Sequence, residues 1–175
     1  MAKSAQSAKL ESNGSKTASL DTKSSAWALL LTSHAVLLEE IEQRLSQAGL
    51  PELSWYDVLW ALERAEERRL RMSELADMTV ISRSNLTRLV DRLESAGLVA
   101  RERAQEDRRG AFAVLTGAGK AMRKAMWPVY AAAIRELFEQ HISERDAAQM
   151  AASLRRVLAA ARLRAAEEPP APAPK

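Results

Sequence analysis

The sequence predicts a mainly α-helical fold interrupted once by a small β-hairpin. Two observations carry that expectation. Apolar residues recur at three- and four-residue steps along most of the chain, the spacing of a helix face. Only between Leu98 and Leu115 does the pattern shorten to alternation, the spacing of a half-buried strand. Composition agrees with a globular chain: of 175 residues, 47% are hydrophobic and 28% charged, enough apolar mass for a packed core.

Residues 1–24 are rich in Ser, Lys and Ala, with only Leu10 and Leu20 as large apolar residues after Met1, and are expected to form a disordered tail. A basic start followed by the apolar run 26–38 superficially fits a secretory leader. That reading is rejected because Thr32, Ser33 and His34 interrupt the run, Glu11 and Asp21 sit in the start, and Glu39-Glu40-Ile41-Glu42 stands where a cleavage site would be. No apolar stretch reaches the roughly 20 residues that span a bilayer, so no membrane partner and a bacterial cytoplasmic location are expected.

A first long helix, assigned to residues 25–50, shows Trp27, Leu30, Leu31, His34, Leu37, Leu38, Ile41 and Leu45 on one face and stops near Gly49, with Pro51 beyond. Ser54 opens a second helix, with Asp57 three residues on as a capping-box-like pair. A short third helix covers about 73–78. A fourth covers about 83–96, with Leu86, Leu89, Val90 and Leu93 inward and Gly97 as its stop. Residues 98–103 and 111–115 read as two strands joined by the polar loop 104–110. Thr116 opens a fifth helix, expected to kink at Pro128. Ser143, with Asp146 three residues later, opens a last helix to about Ala166, whose face shows Ala147, Met150, Leu154, Val157, Leu158 and Ala161. The prolines of 167–175 cannot continue a helix, so this end is a second disordered tail.

Several function classes are excluded. There are no cysteines, hence no disulfides, thiolate metal sites or cysteine nucleophiles. The two histidines, His34 and His141, are far apart. No phosphate loop, glycine fingerprint or clustered His/Asp/Glu set is present, so neither catalytic residues, a metal site nor a cofactor is expected.

Charge has a location. The chain carries +3 overall, but residues 67–124 hold 13 Lys or Arg against 8 Asp or Glu, so the excess sits in the middle unit. Within that unit, residues 72–100 read as a short helix, a tight turn at 79–82 and a second helix. Opposite its apolar side this helix presents Arg83, Ser84, Asn85, Thr87, Arg88 and Arg92, and Ser82 at the end of the turn joins them as a DNA-binding candidate. A helix fits the DNA major groove, where Arg pairs bidentately with guanine and Asn with adenine. Arg101 and Arg103 alternate along the next strand, and the hairpin tip carries Asp107, Arg108 and Arg109. An arginine on a protruding tip suits the narrow, negative minor groove. Asp107 is costly beside phosphate, so it is expected to pair with an arginine and aim Arg109. Plain alternatives are a helical hairpin with a polar face and an ordinary polar β-turn.

The run Ser82-Arg-Ser-Asn-Leu-Thr-Arg-Leu-Val-Asp-Arg-Leu-Glu-Ser-Ala-Gly-Leu-Val, the tip Asp107-Arg-Arg-Gly and the exit Val114-Leu-Thr-Gly-Ala-Gly119 resemble the MarR family of bacterial winged helix-turn-helix regulators. The resemblance covers roughly Ala26 to Ala166. It implies a winged helix-turn-helix domain over 51–116, flanked by dimerisation helices at 25–50 and 117–166. It also implies a homodimer on a pseudo-palindromic operator, acting as a repressor. Arg83, Ser84, Asn85, Thr87 and Arg88 would face the major groove and Arg109 the minor groove. Many members respond to a small aromatic or anionic effector. The dimer has independent support: the terminal helices have apolar faces and no other large element to cover. Alanines 147, 148, 151, 152 and 159–161 permit close helix approach. An intramolecular bundle is the alternative.

Trp27, His34, Trp55, Tyr56, Asp57 and Trp60 are candidates for an effector pocket, an apolar site with a few polar groups. The preferred alternative is that these aromatics are core and that Asp57 caps a helix. A winged-helix module binding protein rather than double-stranded DNA is the competing function.

Overall fold

The computed structural model describes the backbone of residues 3–79, 83–103 and 111–167, and the side chains of 22–79, 85–102 and 111–164. The chain divides into two units, Met1–Ala131 and Ala132–Lys175. The first contains α1 (Lys3–Gln47), α2 (Leu53–Arg64), β1 (Arg69–Arg71), α3 (Met72–Met78), α4 (Arg83–Ser95), β2 (Val99–Arg103), β3 (Ala111–Leu115) and most of α5 (Gly117–Leu137). The second holds the end of α5 and α6 (Glu144–Glu167).

The core of the first unit is the expected one, built from the apolar side of each short element. Val58, Leu59 and Leu62 of α2, Leu75 of α3 and Leu86, Leu89, Val90 and Leu93 of α4 are buried with Val99, Ala113 and Leu115 of the sheet. A second cluster joins Leu45 of α1, Leu53 and Tyr56 of α2 and Met126 of α5. Both predicted glycine stops close their helices in the same way. Leu98 N–H donates to Leu93 O and Gly97 N–H to Glu94 O, each at 2.9 Å, with Gly97 at φ +72°. Leu50 and Gly49 repeat the pattern at the end of α1.

The structure departs from the sequence reading in three places. First, α1 begins at Lys3, inside the segment expected to be a disordered tail. Low apolar content denies that segment a core, but no proline precedes Pro51 and nothing breaks the helix. Second, Ser54 and Asp57 do not cap α2. Its first N–H, from Leu53, is satisfied from another helix, by Glu42 Oε1 of α1 at 3.0 Å. A carboxylate there also meets the positive end of the helix dipole. Third, the hairpin gains a third strand. β1 pairs antiparallel with β3, giving the order β1-β3-β2 with Leu70 opposite Ala113 and Arg101 opposite Ala113 on the other side. Three residues are too few to show a period, and the turn before β1 needs positive φ at Glu67 and Arg68, which neither residue type announces. The fifth helix, α5, runs from Gly117 to Leu137 with Pro128 inside it.

The exit from the wing is a latch. The Thr116 hydroxyl lies 2.8 Å from Gly97 O and 3.0 Å from Leu98 O, either of which can accept its proton. It accepts the Gly119 N–H at 3.0 Å. Gly119 sits so close to the residue before β2 that a Cβ would lie 2.1 Å from Leu98 O.

In the second unit, Ser143 and Asp146 cap α6 as expected: Asp146 N–H donates to Ser143 Oγ at 3.2 Å, and the hydroxyl donates to Asp146 Oδ2 at 2.6 Å. Val157, Leu158 and Leu163 of α6 are exposed. Among the described residues no helix is long and apolar enough to cross a membrane, and no cluster of potential metal ligands occurs.

Gly119→Ala should destabilise by about 1–3 kcal/mol, because the added methyl meets backbone that cannot rotate away. Gly117→Ala, with nothing within 4 Å of the new methyl, should be neutral or stabilising by up to about 1 kcal/mol. Urea unfolding of the two variants checks the contrast, and equal effects would refute it.

Candidate nucleic-acid interface and effector cavity

Burial of one side of α4 dictates what the other side shows. With Leu86, Leu89, Val90 and Leu93 at 2% exposure or less, Asn85, Thr87, Arg88 and Arg92 are left on the exposed side. Asn85 and Arg88 line an open groove with Ser54, Leu89 and Arg92, where the start of α2 meets α4. The Ser54 hydroxyl has no hydrogen-bond partner among the described residues.

The arginines predicted to bind DNA separate into two kinds. Arg92 Nη2 pairs with Glu52 Oε1 at 2.5 Å, tying α4 to the start of α2. Arg101 turns back onto α4, with Nη2 2.6 Å from Asp91 Oδ1 and Nη1 3.6 Å from Glu94 Oε2. Its Nη2 also approaches Thr87 O at 3.5 Å. Arg88 pairs with no carboxylate among the described residues. The backbone of Arg83 and Ser84 opens α4 and that of Arg103 ends β2 opposite Ala111. Ser82, Asp107, Arg108 and Arg109 lie outside the described residues.

The candidate effector residues also divide. Tyr56, Asp57 and Trp60 line an open cavity of about 540 Å³, completed by Arg123, Trp127 and Tyr130 of α5. Trp55 packs instead against the core beneath the sheet. Trp27 and His34 are exposed on α1 and are not part of the cavity. Arg123 and Tyr130 escaped the sequence reading, yet a signal was there. Positions 56, 60 and 63 of α2 and 123, 127 and 130 of α5 share the spacing of one helix face.

Within the cavity, Tyr56 stacks on Trp60 (6.4 Å between centroids) and Trp127 (6.1 Å) and meets Tyr130 edge-on at 5.1 Å. Arg123 is paired with Glu63, hydrogen-bonds Tyr56 and lies 5.1 Å over the Trp60 ring. Burial, reinforced by the Glu42 carboxylate, pushes the Asp57 carboxyl up to about 6. Burial also raises the phenols of Tyr56 and Tyr130, the Arg123 hydrogen bond opposing it at Tyr56.

A short helix followed closely by a second helix with one apolar and one polar side, and a three-stranded sheet, define a winged helix-turn-helix protein. The MarR family model matches residues 48–110. AbsC, a MarR family transcriptional regulator from Streptomyces coelicolor, is 34% identical over 81% of this chain and 95% of its own, with a TM-score of 0.74. A second MarR family regulator from that organism, solved in complex with DNA, is 29% identical over 76% of this chain and 83% of its own, with a TM-score of 0.72. The transcriptional regulator SarZ of Staphylococcus aureus is 32% identical over 100 residues, 57% of this chain and 64% of its own. The matched stretch thus spans under two thirds of that curated relative, and likewise 62% of FarR from Neisseria gonorrhoeae. The chain belongs to the MarR family of transcriptional regulators.

Asp57 makes stability depend on pH. The folded state holds its proton up to about pH 6, whereas an unfolded aspartate releases it near about 3.9. The folded state therefore binds more protons between those values, and stability falls as pH rises from about 4 to about 6, the full penalty persisting above that range. Asp57→Asn should remove that slope and gain about 1 kcal/mol at pH 7.5, a figure reduced for solvent screening of a partly exposed carboxyl. Denaturant unfolding at pH 5 and 7.5 checks this, and a variant with the wild-type slope would contradict it.

Proposed function

We propose that this protein is a homodimeric repressor that binds a pseudo-palindromic operator and is released by a small-molecule effector. The observation that carries the proposal is the division of α4 into a fully buried apolar side and an exposed side bearing Asn85, Thr87 and Arg88. Those side chains match base edges in the major groove, and the surplus positive charge of residues 67–124 matches the phosphate backbone. A relative solved in complex with DNA supports the same partner.

Within this reading the arginines have different tasks. Arg88 reads a base. Arg92 and Arg101 hold α4 against α2 and β2 through Glu52, Asp91 and Glu94, so they aim the recognition helix. Arg109 is assigned to the minor groove, with Asp107 pairing with an arginine to aim it, from sequence alone.

Two-fold pairing is supported by apolar surface left on the terminal helices. Trp27, Leu29, Leu31 and Val36 of α1 are each more than half exposed, as are Val157, Leu158 and Leu163 of α6. Burying such residues stabilises by about 1.5–3 kcal/mol each. A symmetric pair would present two α4 helices about 34 Å apart, one turn of DNA. An effector in the α2–α5 cavity would favour a spacing that no longer fits successive grooves.

Arg88→Ala should weaken binding to the selected operator by about 1–3 kcal/mol and relax base preference at one position, with the thermal midpoint unchanged. Wild-type affinity in that variant would remove Arg88 from the readout. In sedimentation, the wild type should be a dimer at micromolar concentration and Leu158→Glu should shift it towards monomer; a monomeric wild type would end the two-fold proposal.

A further inference from the structure

The α2–α5 cavity contains an arginine, which at first sight suits an anionic effector. Its surroundings argue otherwise. Arg123 is only 12% exposed and already paired with Glu63, which Lys120 also approaches at 3.9 Å. It further donates to Tyr56 and covers Trp60. An anion would have to break a buried ion pair to reach it, which leaves a carboxylate buried without its partner.

Asp57 is the opposite case. The charge that acts on it is another carboxylate, Glu42 of α1, itself held at the start of α2 by the Leu53 N–H. The other charged or titratable groups around the cavity are Tyr56, Glu63 and Arg64 from α2 and Lys120, Arg123 and Tyr130 from α5. Arg123 and Lys120 both face Glu63 and Arg64 lies over Trp60, so the charge acting on Asp57 itself is the negative one of Glu42.

The walls have the same preference. Aromatic faces carry negative potential and attract cations within about 6 Å of the ring centre. Trp60 already shows it, with Arg64 at 5.6 Å and Arg123 at 5.1 Å. Trp127 is 45% exposed and Tyr130 partly so, and no arginine or lysine covers either ring among the described residues.

We propose that this cavity is a receptor for a small organic cation bearing an aromatic ring, held by the faces of Trp127 and Tyr130 and by the carboxylate of Asp57. Its role as an effector rests on the regulator reading above, but its binding does not. The volume of about 540 Å³ lies within the range of about 300–1,000 Å³ usual for small-molecule sites. Ionised Asp57 is the form that attracts the cation, so affinity rises with pH, whereas an anion held by Arg123 would show no such gain.

The test is titration of the full chain, without DNA, with benzyltrimethylammonium and separately with benzoate, followed by tryptophan fluorescence. The cation should quench saturably, with about tenfold higher affinity at pH 7.5 than at pH 5. Asp57→Asn should lower the affinity at pH 7.5 about tenfold and abolish the pH dependence, and Trp127→Ala should weaken binding at both pH values. The proposal is overturned if benzoate binds and the cation does not, if neither binds saturably, or if Asp57→Asn binds the cation like the wild type. Operator binding is measured in parallel by anisotropy. Cation binding by a chain that ignores DNA would sink the regulator reading alone, and operator binding by a chain that ignores the cation would sink this one alone.

Discussion

The arrangement of α4 rests on one constraint: four large apolar side chains, Leu86, Leu89, Val90 and Leu93, must leave water on the same side of one helix. At about 1.5–3 kcal/mol each, their burial outweighs any single surface ion pair, worth about 0–1 kcal/mol. The core formed by α2, α3, β2 and β3 receives them, and the rotation of α4 about its own axis is thereby fixed. Asn85 and Arg88 face outward because their neighbours in sequence cannot.

Weaker interactions then refine what burial has fixed. Arg92 to Glu52 and Arg101 to Asp91 and Glu94 add little stability, but they tie α4 to the start of α2 and to β2. The Leu-Thr-x-x-Gly exit works by closeness. Thr116 bridges the end of α4 and the start of α5, and Gly119 has no side chain where one would strike Leu98 O. A motif that serves as a family signature is therefore explained here by packing and capping, with no need for a DNA contact.

The same α2 that packs beneath α4 forms one wall of the aromatic cavity. Val58, Leu59 and Leu62 point into the DNA-binding core while Tyr56, Asp57 and Trp60 line the cavity with α5. One helix of 12 residues thus connects a chemically distinctive pocket with the core that seats α4. A ligand that moved α5 against α2 would act on the element to which Arg92 anchors α4.

Much was legible in the sequence because it depends on local spacing. The helices, both glycine stops, the Ser143–Asp146 cap, the buried side of α4 and the two longer strands follow from periodicity and capping chemistry, which act within a few residues. Tertiary structure alone decided which polar groups meet across elements. Glu42 rather than Ser54 closes the start of α2, Arg101 folds onto α4 instead of facing outward, β1 finds a place beside β3, and Arg123 and Tyr130 join residues about seventy positions earlier in one cavity. Hydrophobic burial imposes a period that sequence carries openly, whereas a long charged side chain has many rotamers and takes its partner from whichever element the fold brings near.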